Sequence, residues 1–194
     1  SYVHPDLRAV AAILLTNPPA AETAKPAAAE PLPAGVRRLS VPGRAGAPPV
    51  TVYLANEMAN GPPRGAILFL HGGGFIRGNA LQGLPPYLAM AKRLNCVLVS
   101  VEYRLAPAAP FPAALEDNYA VLLWLNQYAA RLGIRPDRIA LVGESAGGGH
   151  AAMLAIAARD RGKVRPCFQA LIYPMLDDRT GSTRPVPPNR GTFV

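Results

Sequence analysis

Apolar residues fall along this chain in short blocks of two kinds. Runs of strand length occur at 36–41, 50–54, 66–70, 96–103, 138–142 and 168–173. The run 66–70, Ala-Ile-Leu-Phe-Leu, is continuous, as expected of a strand buried on both faces, and 96–103 reads as a second such strand. Helical composition and spacing mark 84–94, 112–132 and 147–159. The longest of these puts Leu115, Tyr119, Leu122 and Leu123 on one face and is closed by Gly133. Strands that alternate with helices predict an α/β fold, a mostly parallel sheet with helices on both faces. Sites in such sheets form at the carboxyl ends of strands.

Proline divides the chain. The 22 prolines cluster at 18–33, mixed with Ala and Glu, and again at 185–188. The first cluster separates a short helical segment at 5–16 from the main body. Residues 1–34 are therefore expected to form an N-terminal segment and linker, and 35–194 the main domain. No internal repeat is evident.

Composition narrows the class. Of 194 residues, half are hydrophobic and 16% are charged, which is globular, not disordered. The net charge of +8 raises nucleic acid as a partner. The basic residues are scattered, however, in pairs at most, such as Arg37-Arg38 and Lys92-Arg93, with few aromatics among them. No nucleic-acid partner is expected. Cys96 and Cys167 each open a strand run in no metal-ligand spacing, so both are expected to be buried, reduced thiols. No segment approaches the ~18 apolar residues that span a bilayer. The simplest expectation is a soluble cytoplasmic protein.

Two glycine-rich motifs follow strand runs. Gly143-Glu144-Ser145-Ala146-Gly147 lies between the strand 138–142 and a small-residue helix. That context suits a nucleophile elbow, a tight strained turn that presents a serine hydroxyl above the sheet edge near a helix N-terminus. The competing reading is an ordinary glycine turn. His71-Gly72-Gly73-Gly74 follows the strand 66–70. Three glycines let backbone N–H groups approach one point, as the oxyanion of acyl transfer requires. A phosphate-binding loop is the alternative, but no G-x-x-x-x-G-K-[ST] or G-x-G-x-x-G pattern accompanies it.

With these motifs the chain strongly resembles the hormone-sensitive-lipase family of α/β-hydrolases. The matching residues, in the family's order, are His71-Gly72-Gly73-Gly74-Phe75, Tyr103-Arg104-Leu105-Ala106-Pro107, Phe111-Pro112-Ala113, Gly143-Glu144-Ser145-Ala146-Gly147-Gly148 and Tyr173-Pro174. Two departures are visible. Ala108-Ala109 stands where the family often has Glu and a polar residue, and Glu144 replaces a more frequent Asp. The resemblance implies an α/β-hydrolase fold with residues 1–34 as a cap segment and linker. It implies an esterase or lipase acting on short- to medium-chain acyl esters through an acyl-serine intermediate, with no cofactor or metal. Ser145 would be the nucleophile. The amides of Gly73, Gly74 and Ala146 would form the oxyanion hole. His71, with Gly72, would brace the loop rather than act as base.

A serine nucleophile needs a general base, and the base an orienting carboxylate. In this family's order both follow the serine. The histidines are His4, His71 and His150, and only His150 follows Ser145, five residues on in a helix that carries it away. Of the later acids, Asp160 reads as a solvated helix-end residue, while Asp177 and Asp178 match a family stretch that is not its triad acid. The expectation is that 35–194 form an incomplete hydrolase domain without its own triad acid and base. Ester hydrolysis by these residues alone is then not expected. Two alternatives accompany the esterase reading: a non-catalytic ligand-binding protein on the same fold, as in the plant gibberellin receptor, and an inactive fragment.

Overall fold

The computed structural model of the chain describes residues 31–44, 46–58, 61–177 and 179. The helix expected at 5–16, the proline cluster at 185–188, His4 and Asp178 lie outside them.

Six strands form one sheet: β1 (Val36–Val41), β2 (Val50–Ala55), β3 (Arg64–Leu70), β4 (Val97–Glu102), β5 (Ile134–Glu144) and β6 (Phe168–Ile172). Their spatial order is β1-β2-β4-β3-β5-β6. β1 and β2 make an antiparallel hairpin, and β2 pairs antiparallel with β4. The remaining pairs are parallel. Three helices connect the parallel strands: α1 (Leu84–Arg93), α2 (Ala113–Gln127) and α3 (Ala146–Arg161).

Strand alternation decides which helix covers which face. In β3, Ala66, Leu68 and Leu70 enter one core with Tyr119, Leu122 and Leu125 of α2 and Ala151, Leu154 and Ala158 of α3. Ile67 and Phe69 point the other way, onto Leu84, Tyr87 and Ala91 of α1. The expected two-sided cover is therefore present. It also creates a switch point. β3 and β5 are neighbours, yet the helix after β3 lies on one face and the helix after β5 on the other. The chain parts above their carboxyl ends and leaves a crevice there.

Three expectations are corrected. The helix expected over 112–132 ends at Gln127, and a 3₁₀ turn, Ala129–Leu132, follows. The tighter turn lets Gly133, at φ 62°, hand its carbonyl to the amide of Arg64 at 2.9 Å, which starts the β3–β5 pairing. β5 accordingly begins at Ile134, paired with Arg64 across a register shift, and not at 138. The cysteines are free but not buried: Cys96 is half-buried and Cys167 exposed. Cys167 precedes β6, an edge strand among the described residues, whose first residues, Phe168 and Gln169, are themselves exposed. Among the described residues, no helix is long and apolar enough to cross a membrane.

Candidate active site

β5 ends at Glu144 and α3 begins at Ala146, so a single residue makes the turn. That residue, Ser145, sits at φ 53°, ψ −120°, outside the regions that L-residues normally occupy. Such a conformation costs on the order of 1–3 kcal/mol and persists only where the surroundings hold it. Here they hold both backbone groups. The Ser145 amide donates to the carbonyl of Ile172 at 2.9 Å, and its carbonyl accepts from the amides of Met175 at 3.0 Å and Gly149 at 3.1 Å. The flanking glycines are required by contact. A Cβ on Gly143 would collide with the Gly147 carbonyl, and one on Gly147 with the carbonyls of Leu70 and His71. The start of α3 thus lies directly against the end of β3.

The segment after β3 crosses this turn. A Cβ on Gly72 would stand 3.1 Å from the Glu144 carbonyl oxygen and 3.4 Å from Ser145 Cβ. Gly73 and Gly74 follow with φ of 131° and 62°. The Gly73 carbonyl accepts from Ile76 and Arg77 at 3.2 and 3.1 Å, closing a turn. Phe75 is also left-handed, at φ 68°, with its carbonyl held by the Ala106 amide at 3.0 Å. Further on, β4 clasps the loop at buried Ala80. Glu102 accepts from the Ala80 amide at 2.7 Å, and the Ser100 hydroxyl donates to its carbonyl at 2.6 Å. Burial pushes the Glu102 carboxyl up, with the Ala80 hydrogen bond opposing.

His71 is buried at the root of the loop. Its Nδ1 lies 2.8 Å from the Gly72 carbonyl, which fixes the proton on Nδ1, and the Tyr103 hydroxyl donates to the His71 carbonyl. Burial lowers its pKa to about 4, so the ring is neutral at neutral pH. His150 is also buried, edge-on to the rings of Phe75 at 4.9 Å and Tyr103 at 4.6 Å. Neither of its ring nitrogens has a hydrogen-bond partner among the described residues. Its pKa is about 4 as well, through burial first and the nearby His71 second.

The structure therefore brings Ser145, Gly72 and the loop at Gly73 and Gly74 together at the carboxyl ends of β3 and β5. It leaves His150 packed among aromatic rings with no bond to Ser145. Asp160 is exposed and paired with Arg159 at 2.7 Å, and Asp177 is paired with Arg179 at 2.7 Å. Two residues not expected at the site also join it: Tyr87, which carries no motif, and Tyr173, marked only as part of the Tyr173-Pro174 match. The phenols of Tyr87 and Tyr173 both donate to Oε2 of Glu144, at 3.1 and 3.2 Å, across separations of 57 and 29 residues. Ser100 and Glu102 were likewise unmarked, being part of what reads as one more buried strand.

Comparison with known proteins identifies the family and the fold. Residues 67–192 match the family described as the alpha/beta hydrolase fold. The chain is 41% identical over 126 residues to the carboxylesterase NlhH of Mycobacterium tuberculosis, an alignment covering 65% of this chain and 39% of that protein. It is 36% identical over 111 residues to human hormone-sensitive lipase, covering 57% of this chain and 10% of the lipase. Among solved structures, a bacterial heroin esterase superposes with a TM-score of 0.73 at 39% identity, covering 92% of this chain and 54% of the esterase. The chain thus spans well under two thirds of the length of these relatives.

Proposed function

The chain belongs to the hormone-sensitive-lipase family of α/β-hydrolases, and from that premise we propose that it carries the nucleophile half of a carboxylic-ester hydrolase site. The observation that carries this is Ser145, alone between strand and helix at φ 53° with Gly72 against its Cβ. In this reading Ser145 Oγ attacks the ester carbonyl carbon. The carbonyl oxygen becomes an oxyanion received by the amides of Gly73, Gly74 and Ala146. Collapse expels the alcohol and leaves an acyl-serine, which water then cleaves. His71, neutral and tied to the Gly72 carbonyl, holds the loop and takes no proton from Ser145. In the same reading residues 35–194 are an incomplete hydrolase domain and 1–34 its cap segment and linker. The substrate is a small acyl ester, the location the cytoplasm.

None of the 194 residues is assigned as base or triad acid. His71 is tied to the Gly72 carbonyl and His150 is packed against Phe75 and Tyr103, each buried with a pKa near 4 and neither bonded to Ser145. A serine site without its base retains roughly 10³–10⁴-fold catalysis over water from the oxyanion hole and binding alone. The test is a fluorophosphonate probe followed by mass spectrometry. The reading expects a slow, single adduct on Ser145 and none in Ser145→Ala. Absence of a Ser145 adduct after prolonged exposure would sink it. The non-catalytic alternative is favoured by the unpartnered His150 and expects ester binding without adduct.

A further inference from the structure

Glu144 stands next to the nucleophile but has no part in the proposed chemistry, and its surroundings are unusually specific. One oxygen, Oε2, accepts from both Tyr87 and Tyr173. Tyr87 belongs to α1, where its ring is buried and stacked on Phe69 of β3 at 3.9 Å. Tyr173 follows β6. Its side chain is exposed, and its backbone is left-handed at φ 36°. An exposed tyrosine gains nothing from burial by adopting that strained backbone, which here accompanies its bond to Glu144. Ile172, just before it, and Met175, two residues after it, make two of the bonds that hold the Ser145 backbone. The exit of β6 therefore grips the elbow at three points: the Ser145 amide, the Ser145 carbonyl and the Glu144 carboxylate. Glu144 also lies along the other wall, with its Cγ 3.6 Å from where a Cβ on Gly72 would stand and Oε1 3.6 Å from where one on Gly83 would stand.

We infer that Glu144 is a positioning residue: its carboxylate, held by Tyr87 and Tyr173, locks α1 and the exit of β6 onto the turn that presents Ser145. The inference rests on the reading of Ser145 as nucleophile. At 3.1 and 3.2 Å the two phenol–carboxylate contacts are long and individually weak, but they converge on one oxygen from two separate elements. Together they oppose relaxation of the strained serine and keep Gly72 against it. In support, both phenols resist ionisation: that of Tyr87 through burial first and Glu144 second, that of Tyr173 through the charge of Glu144 first.

The experiment compares rates of Ser145 phosphonylation by a fluorophosphonate across variants, with the folded fraction measured in parallel. Tyr173→Phe and Tyr87→Phe each slow labelling about threefold, and the double variant about tenfold, below the hundredfold cost of a full ångström of misplacement. Glu144→Gln, which keeps an acceptor oxygen, stays closer to wild type than Glu144→Ala. Should the double variant label at the wild-type rate, or should labelling fall only in step with folded fraction, the inference is overturned. If the wild-type chain forms no Ser145 adduct, the functional reading fails and the lock is judged by other measurements. The Tyr87 phenolate absorbance, isolated by difference against Tyr87→Phe, then appears at lower pH in Glu144→Gln, and the Ser145 amide resonance shifts in Tyr173→Phe. No change in either overturns it.

Discussion

The hydroxyl of Tyr103 donates to the carbonyl of His71 while the two rings stack, their centroids 4.1 Å apart and 8° from parallel. Tyr103 follows β4 and His71 follows β3, so the contact ties the carboxyl ends of two adjacent parallel strands. The His71 carbonyl is the point at which the chain leaves the sheet to form the glycine loop.

Removing that hydroxyl leaves a buried carbonyl without its partner while the rings still stack. Tyr103→Phe is expected to destabilise the fold by about 1–3 kcal/mol, the usual cost of such an orphan. It should also slow Ser145 labelling, because the root of the loop is loosened. Urea denaturation and probe kinetics check this. A variant as stable as wild type would show that the hydrogen bond contributes nothing.

His71 and His150 set a pH dependence whose sign can be worked out. Both have folded pKa values of about 4 against an ordinary value of 6.5. The unfolded chain therefore takes up protons near 6.5 that the folded chain refuses until about 4. Stability is full above pH 6.5 and declines as pH falls through 4, by on the order of 3 kcal/mol per imidazole. Glu102, raised by burial, contributes with the opposite sign. The difference between wild type and His150→Leu isolates one imidazole. That variant removes two buried nitrogens without partners, so it should be at least as stable as wild type at pH 7. Its stability should fall less steeply between pH 6.5 and 4.5. Parallel urea-midpoint curves for the two proteins would contradict this.

Arg104 and Asp117 anchor the segment that carries Tyr103. The buried Asp117 accepts from the Arg104 backbone amide at 3.0 Å and from its guanidinium at 2.7 and 2.8 Å. Asp117→Asn keeps the shape but sets an amide N–H₂ against donors. A loss of about 1.5–3 kcal/mol is expected, the range for hydrogen bonds to charged groups, since Arg104 is itself partly exposed. Thermal denaturation of the variant provides the check, and an unchanged midpoint would refute it.

What could be read from the sequence follows from the range of the interactions involved. The strand at 66–70 is legible because Ile67 and Phe69 face one core while Leu68 and Leu70 face the other, which demands a continuous apolar run. Ser145 and Gly72–Gly74 are legible because a turn of that shape restricts local residue choice. The end of α2 at Gln127 is not legible. It depends on Gly133 meeting Arg64, a contact across the sheet. The exposure of Cys167 depends on β6 having one hydrogen-bonded neighbour among the described residues. Tyr87 looks like an ordinary helix aromatic and Tyr173 is marked only as half of the Tyr173-Pro174 pair, and only the fold sets both against Glu144.

The strain at Ser145 gives a direct contrast between two substitutions. Ser145→Ala deletes the hydroxyl but keeps a Cβ, so the conformation at φ 53°, ψ −120° remains as costly as before. Ser145→Gly deletes the Cβ and with it strain on the order of 1–3 kcal/mol. Against this, glycine loses about 0.4–1 kcal/mol more backbone entropy on folding. The strain term is the larger, so Ser145→Gly should exceed Ser145→Ala in unfolding free energy by about 1 kcal/mol. Both variants should be inert to the fluorophosphonate, which separates stability from reactivity. The ordering would reverse if the bonds to Ile172 and Met175 did not hold the turn and the alanine could relax. Urea denaturation of the pair therefore measures whether residue 145 is kept in its high-energy backbone by those two bonds.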